Sequence, residues 1–134
     1  MENHTYLLDT NILSDLIRRP NGVVLDRLEA ILPDTACTSI IVAAEIFFGI
    51  SKKASARLAH QAIQILAAID ILPLESPVEK HYGDIRAHLT RTGQPIGSND
   101  LFIAAHARAL NMVLVTANVR EFSRVPELMV ENWL

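Results

Sequence analysis

The segment TYLLDTNILSDLI, residues 5–17, opens as a buried strand and then meets a charge. Tyr6, Leu7 and Leu8 call for an apolar setting, yet the next residue is Asp9. Two readings follow. Asp9 can cap the helix that begins near residue 11, since Asp and Asn are good N-caps. It can also mark a site, because ligands of open parallel sheets lie beyond the carboxyl ends of the strands.

The rest of the chain decides which kind of sheet this is. The first helix is expected over residues 11–19 and is stopped by Pro20-Asn21-Gly22. VVLDRLEAIL has helical spacing at Val24, Leu25, Leu28 and Leu32, and Pro33 ends it. TACTS reads as a short strand, IIVAAEIFFGI as a helix closing near Gly49, and SARLAHQAIQILAAI as a long helix. DILPL is a strand broken by Pro73. PVEKHYGDIRAHLTRTG is helical, with Pro77 at its start and Gly93 as C-cap. SNDLFIAAHARALN is a helix, MVLVTA a strand, NVREF a short helix and LMVENW a last edge strand. Strands alternating with helices imply parallel βαβ units and an α/β fold, a three-layer α/β/α sandwich with a mostly parallel sheet. No repeat or linker divides residues 1–134, so one domain is expected.

Composition agrees with that architecture. Half of the residues are hydrophobic and few are aromatic, which is the Leu, Ile, Val and Ala content of a sheet covered on both faces. The surplus also suits an oligomer or partner interface. IIVAAEIFFGI and AIQILAAIDILPL are too short to span a bilayer and contain Glu45 and Asp70. MENHTYLLD lacks the basic segment and long apolar core of a secretory leader. Cys37 is the single cysteine, which excludes an internal disulfide and a cysteine metal site. A cytoplasmic domain with no membrane association is expected. The net charge of −3 argues against a nucleic-acid partner at first sight. Setting four site acids aside leaves eleven acidic against twelve basic side chains, a balance compatible with RNA or DNA.

Four acidic positions carry the chemistry, each beside a plainer explanation. Glu45 sits among Ile41, Val42, Ala43, Ala44, Ile46, Phe47 and Phe48. A carboxylate there needs a cation, a metal or a donor, unless it faces a strip of solvent or an Arg. Asp100 lies in the first turn of an apolar helix, where the macrodipole alone would favour it. Ser98 or Asn99 is the expected cap of that helix, and Gly97 is expected to allow a tight turn before it. In VTANVREF, Asn118 and Glu121 have capping-box spacing, and Thr116 can turn its hydroxyl to the sheet edge. Taken together, these positions place one acidic cluster at the carboxyl edge. Carboxylates gathered without cations repel, so at least one pKa should rise. Mg2+ or Mn2+ relieves the repulsion, binds phosphate oxygens and activates water. Asp9, Glu45 and Asp100 are the candidate metal ligands, directly or through water, with Thr116, Asn118 and Glu121 as further candidate site residues.

The five histidines form no HxxH or HExxH pair and read as surface or packing residues. No phosphate-binding glycine motif occurs. Lys52-Lys53 and Arg120/Arg124 are the basic groups nearest to the proposed site in sequence.

The stretches YLLDTNILSDLI, SIIVAAEIFFGI and PIGSNDLFIAAHARALNMVLVTANVREFSRVPELMVENWL, in this order, resemble the motifs of PIN-domain proteins, most closely the VapC-type toxins. The resemblance implies an α/β/α sandwich and a Mg2+- or Mn2+-dependent endoribonuclease with its dependable acids at Asp9, Glu45 and Asp100. Many relatives carry a further acid just after the Thr of the fourth strand. Here Thr116-Ala117-Asn118 lacks it, which leaves Glu121, or Asn118 through water, to fill that position. The ending NVREFSRVPELMVENW resembles a subgroup that cuts initiator tRNA. The resemblance also implies a homodimer, a cognate antitoxin forming a hetero-oligomer with it, and operator DNA reached only through that antitoxin. Two other functions compete. One is a non-catalytic binding module acting with a DNA-binding antitoxin. The other is a haloacid-dehalogenase-like phosphatase, which would want an acid where Asn11 stands.

Overall fold

Three residues suffice for the first strand because both of its flanks are occupied. In the computed structural model, which describes residues 4–134, β1 (Tyr6–Leu8) pairs in parallel with β2 (Ala36–Ser39) and with β4 (Val113–Val115). β3 (Asp70–Leu72) lies outside β2, and β5 (Val130–Glu131) lies outside β4. The order is β3-β2-β1-β4-β5, and every pairing is parallel. Leu7, Leu8, Leu114 and Val115 are wholly buried, as strands covered on both faces require. The reading of MENHTYLLD as free of a leader rests partly on residues 1–3, outside the described ones.

The helices are α1 (Thr10–Arg18), α2 (Val23–Ala30), α3 (Ile40–Lys53), α4 (Ala56–Ala68), α5 (Val78–Arg91), α6 (Ser98–Ala109) and α7 (Val119–Phe122). α1 packs on α2, α3 and α4, α3 packs on α4, and α5 packs on α6. The expected three-layer α/β/α sandwich is therefore present. From β1 the chain steps outward to β2 and β3, then returns through α5 and α6 to β4 on the other side of β1. The strand order reverses at β1, so the switch point lies between the carboxyl ends of β1 and β4. That is where parallel sheets bind ligands.

Several boundaries differ from the sequence reading. α3 does not close near Gly49 but runs on to Lys53 and ends at Ala54, whose φ of 51° is left-handed. Ile46 and Ile50 share one helical face and both pack on the core, so tertiary burial overrides the weak propensity of one glycine. α2 ends at Ala30 and leaves Leu32 outside the helix and exposed. The C-cap of α5 is Thr92 and not the expected Gly93, which follows it at φ 67° and donates to the Thr90 carbonyl. LMVENW forms a strand only at Val130–Glu131, and beyond it Asn132 Oδ1 accepts from the Leu134 N–H. Trp133 then packs on Tyr6, with ring centroids 5.3 Å apart.

Two sets of polar contacts tie the elements together, one of them buried. His106, 1 % exposed, lies 2.8 Å from Ser39 Oγ at the end of β2. Burial holds its pKa down, against a hydrogen bond to the Pro73 carbonyl, so this is a neutral packing histidine. Arg108 donates to His81, Asp84 and the Pro126 carbonyl, joining α6 to α5 and to the segment before β5.

Replacing Leu7, wholly buried in the central strand, with Ala should lower the unfolding free energy by about 3 kcal/mol in urea titration. Leu32→Ala, at a side chain 76 % exposed, should change it by less than about 0.5 kcal/mol. Equal losses in the two variants would contradict the core assignment.

Candidate active site

Asp9 follows β1 directly and is 4 % exposed. The capping reading holds. Its Oδ1 accepts from the Thr10 N–H at 2.8 Å and so caps α1. Its Oδ2 accepts from Thr116 Oγ1 at 2.7 Å, across the switch point from the end of β4. Thr116 is itself wholly buried and accepts from the Asn118 N–H at 3.0 Å. Asn11 completes the bridge: its Oδ1 accepts from the Ala117 N–H at 2.9 Å, and its Nδ2 lies 3.4 Å from both Asp9 Oδ2 and Thr116 Oγ1. Asn11 thus locks the first turn of α1 to the loop after β4.

Glu45 stands in α3, one and a half turns beyond the end of β2, and is half-buried. Its Oε1 accepts from the Thr10 hydroxyl, and its Oε2 lies 3.4 Å from Asn99 Nδ2. Asp100 enters from the start of α6, a helix that runs back toward β4 and so begins at the same edge. The cap of α6 is Gly97, without a side-chain bond, and not Ser98 or Asn99 as expected. Asn99 serves Glu45 instead. Gly97 has φ −60° and ψ 155°, open to any residue, so no special turn needs it. A Cβ there would lie 3.6 Å from Asp100 Oδ2 and shield that oxygen from water.

The structure therefore brings Asp9, Thr116, Glu45 and Asp100 to one edge, with Glu121 close enough for its charge to act on Asp100. Asn118 precedes α7 without a side-chain cap bond, so the expected capping box with Glu121 is not formed. Sequence reasoning missed the roles of Thr10, Asn11 and Asn99. The one signal for them is that each adjoins, or lies two residues from, a site acid.

Electrostatically the cluster is under tension. None of Asp9, Glu45, Asp100 and Glu121 has an ion-pair partner among the described residues; the ion pairs there involve Asp15, Asp70, Asp84 and Glu131. Burial raises the Asp9 pKa, opposed by the donors Thr116, Thr10 and Asn11 and reinforced by the Glu45 charge. Asp100 is pushed from its ordinary 3.8 up to about 6, first by burial and then by the charges of Asp9, Glu45 and Glu121. The acids are not yet gathered as a ligating set: among the described residues no three acidic, histidine or cysteine groups stand so. Glu45 is held aside by Thr10 and Asn99. The donor chemistry, all carboxylate and hydroxyl oxygen, nonetheless suits a hard dication.

Because folded Asp100 holds its proton more tightly than unfolded Asp100, metal-free stability falls as pH rises from about 4 to about 6 and stays lower above. In EDTA, Asp100→Asn should therefore melt close to the native protein at pH 4.5 and on the order of a few degrees higher at pH 7.5. A gap that does not widen with pH in differential scanning fluorimetry would contradict the crowded cluster.

Comparison with known proteins bears on this arrangement. Residues 6–128 match the family model described as "PIN domain". The chain is 38% identical to Ribonuclease VapC2 of Rickettsia felis, covering 96% of this chain and 97% of that protein. It is 34% identical to the tRNA(fMet)-specific endonuclease VapC of Shigella flexneri, covering 96% and 97%. Among solved structures it is similar to VapBC2 from Rickettsia felis bound to a promoter DNA fragment, with TM-score 0.91, 36% identity and 97% and 99% coverage. It is also similar to DNA-bound VapBC from Salmonella typhimurium, with TM-score 0.87, 30% identity and 98% and 99% coverage. Matched to that model over residues 6–128 and to these relatives over nearly their whole length, the chain belongs to the PIN-domain family.

Proposed function

We propose that this protein is an endoribonuclease that works with Mg2+ or Mn2+ at the β1/β4 crevice and acts as the toxin of a type II toxin–antitoxin pair. The observation that carries the reading is the group of carboxylates without ion-pair partners, two of them with raised pKa values. Asp9, Asp100 and Glu45 would hold the cation, with Glu121 and Asn118 beside it. The chemistry such a cation supplies is neutralisation of phosphate charge and acidification of water. The remaining work falls to the chain. Thr116, Asn11 and the Thr10 N–H fix the Asp9 carboxylate while leaving each of its oxygens further lone pairs. Thr10 and Asn99 hold Glu45 at the rim.

In this reaction a water oxygen bonds to phosphorus and gives up a proton, the P–O3′ bond breaks, and the departing 3′-oxygen takes up a proton. The ends are 5′-phosphate and 3′-hydroxyl.

The relatives named above support RNA as substrate, and the Shigella protein supports initiator tRNA in particular. A tRNA substrate implies action in the cytoplasm. No helix among the described residues is long and apolar enough to cross a membrane. The VapBC complexes, two of them on DNA, support a cognate antitoxin through which operator DNA is reached. Exposed Ile40, Phe47 and Phe48 on α3 suit coverage by a second copy or by the antitoxin. The non-catalytic reading draws on one fact, that Glu45 is held aside, and the phosphatase reading fails on Asn11, which is occupied bridging to Ala117.

Incubation with total tRNA decides between them. Cleavage should require Mg2+ or Mn2+, stop in EDTA, and fall at least about 100-fold in Asp9→Asn. Equal cleavage by the variant, cleavage in EDTA or 2′,3′-cyclic ends would overturn the proposal.

A further inference from the structure

A cleft of about 180 Å3 lies between α1 and α3 and shares Thr10 and Glu45 with the carboxylate crevice. It is too small for a whole drug-sized ligand, but it is continuous with the site. Ile17, Ile46 and Ile50 give it an apolar wall, and Arg18 and Lys53 line it as well. Each cation stands eight residues beyond a site residue on its own helix, Arg18 after Thr10 and Lys53 after Glu45. That is roughly 12 Å along each helix, so the cleft leads from the acids toward two positive charges.

We infer that this cleft is the subsite for the RNA backbone on one side of the scissile phosphate, the phosphates of the continuing strand meeting Arg18 and Lys53. The inference rests on the ribonuclease reading above. Three observations carry it. First, the side chains of Arg18 and Lys53 make no hydrogen bond or ion pair among the described residues, unlike Arg19, Arg27 and Arg108. Second, Glu45, the one acid on the cleft, is already engaged by Thr10 and Asn99, so the far end of the cleft presents positive charge to a polyanion. Third, Gly49 sits inside α3 and lines the cleft, where glycine weakens a helix. A Cβ there would meet nothing within 4 Å. A side chain added at Gly49 would therefore enter the cleft and not the core.

Net charge alone gives no sign of such a site, because the acids of the crevice mask it. Locally the arrangement is an acidic crevice for the reacting phosphate and a cationic exit for the strand that continues from it. Phosphate contacts of this kind position a nucleic acid without reading its sequence.

The test is steady-state cleavage of initiator tRNA transcribed in vitro, in Mn2+, by the native protein, by Gly49→Leu and Gly49→Ala, and by the double variant Arg18→Gln/Lys53→Gln. Gly49→Leu should raise KM about tenfold with kcat within about twofold, Gly49→Ala should act in the same direction more weakly, and neither should lower the melting temperature. The double variant should also raise KM about tenfold. Its plot of log KM against log salt should be shallower by about 0.7 for each phosphate that is no longer neutralised, which a merely structural role would not produce. If the native protein cleaves but KM and salt slope are unchanged in all variants, the inference falls and the ribonuclease reading stands. If the native protein does not cleave, both fall. If the variants lose a co-expressed antitoxin while KM is unchanged, the cleft binds a peptide and the inference is wrong.

Discussion

The hydrogen bond from Thr116 Oγ1 to Asp9 Oδ2, 2.7 Å long, crosses the switch point of the sheet. It fixes a buried carboxylate at the end of the central strand, and the geometry around it follows from that placement. Burying a charged group is costly unless donors meet it, and Asp9 has three: the Thr116 hydroxyl, the Thr10 N–H and the Asn11 amide. Those donors come from both sides of the crevice. The first turn of α1 and the loop after β4 are therefore locked together through Asp9.

The cost of this arrangement falls on Asp100. It enters the crevice already opposed by Asp9, Glu45 and Glu121, in a setting that burial makes less tolerant of charge. Elsewhere in the chain acids have conventional partners: Arg108 holds the Asp84 pKa below its ordinary value, and Arg19 pairs with Asp15. The contrast separates acids that stabilise the fold from acids that strain it. A fold that leaves such repulsion uncompensated trades stability for a place where a cation or a charged substrate binds strongly. The cationic end of the α1/α3 cleft is the complementary half of that arrangement, its charges standing roughly 12 Å along each helix from the acids.

Much of this is legible in the sequence because it takes the form of anomalies. A charge ending an apolar strand, a glutamate inside an apolar helix and an aspartate opening another helix each break a pattern, and all three lie at one edge. The alternation of strands and helices is legible for the same reason that short parallel strands are: YLL and VLV are continuous apolar runs. What escapes a reading of the sequence is local. Gly49 reads as a stop, but Ile46 and Ile50 carry α3 past it. Asn118 and Glu121 have the spacing of a capping box, yet α7 is a single turn and Asn118 makes no side-chain cap bond. Thr10, Asn11 and Asn99 have no periodic signature, and their roles emerge only when the ends of β1, α3 and α6 meet.

A carbon-13 NMR titration of the Asp100 side-chain carboxyl tests the central claim most directly, first in EDTA and then in saturating Mg2+. The account predicts a midpoint near 6 without the cation, falling toward or below the ordinary value of 3.8 when Mg2+ is present. A midpoint near 3.8 in EDTA that does not respond to Mg2+ would contradict it.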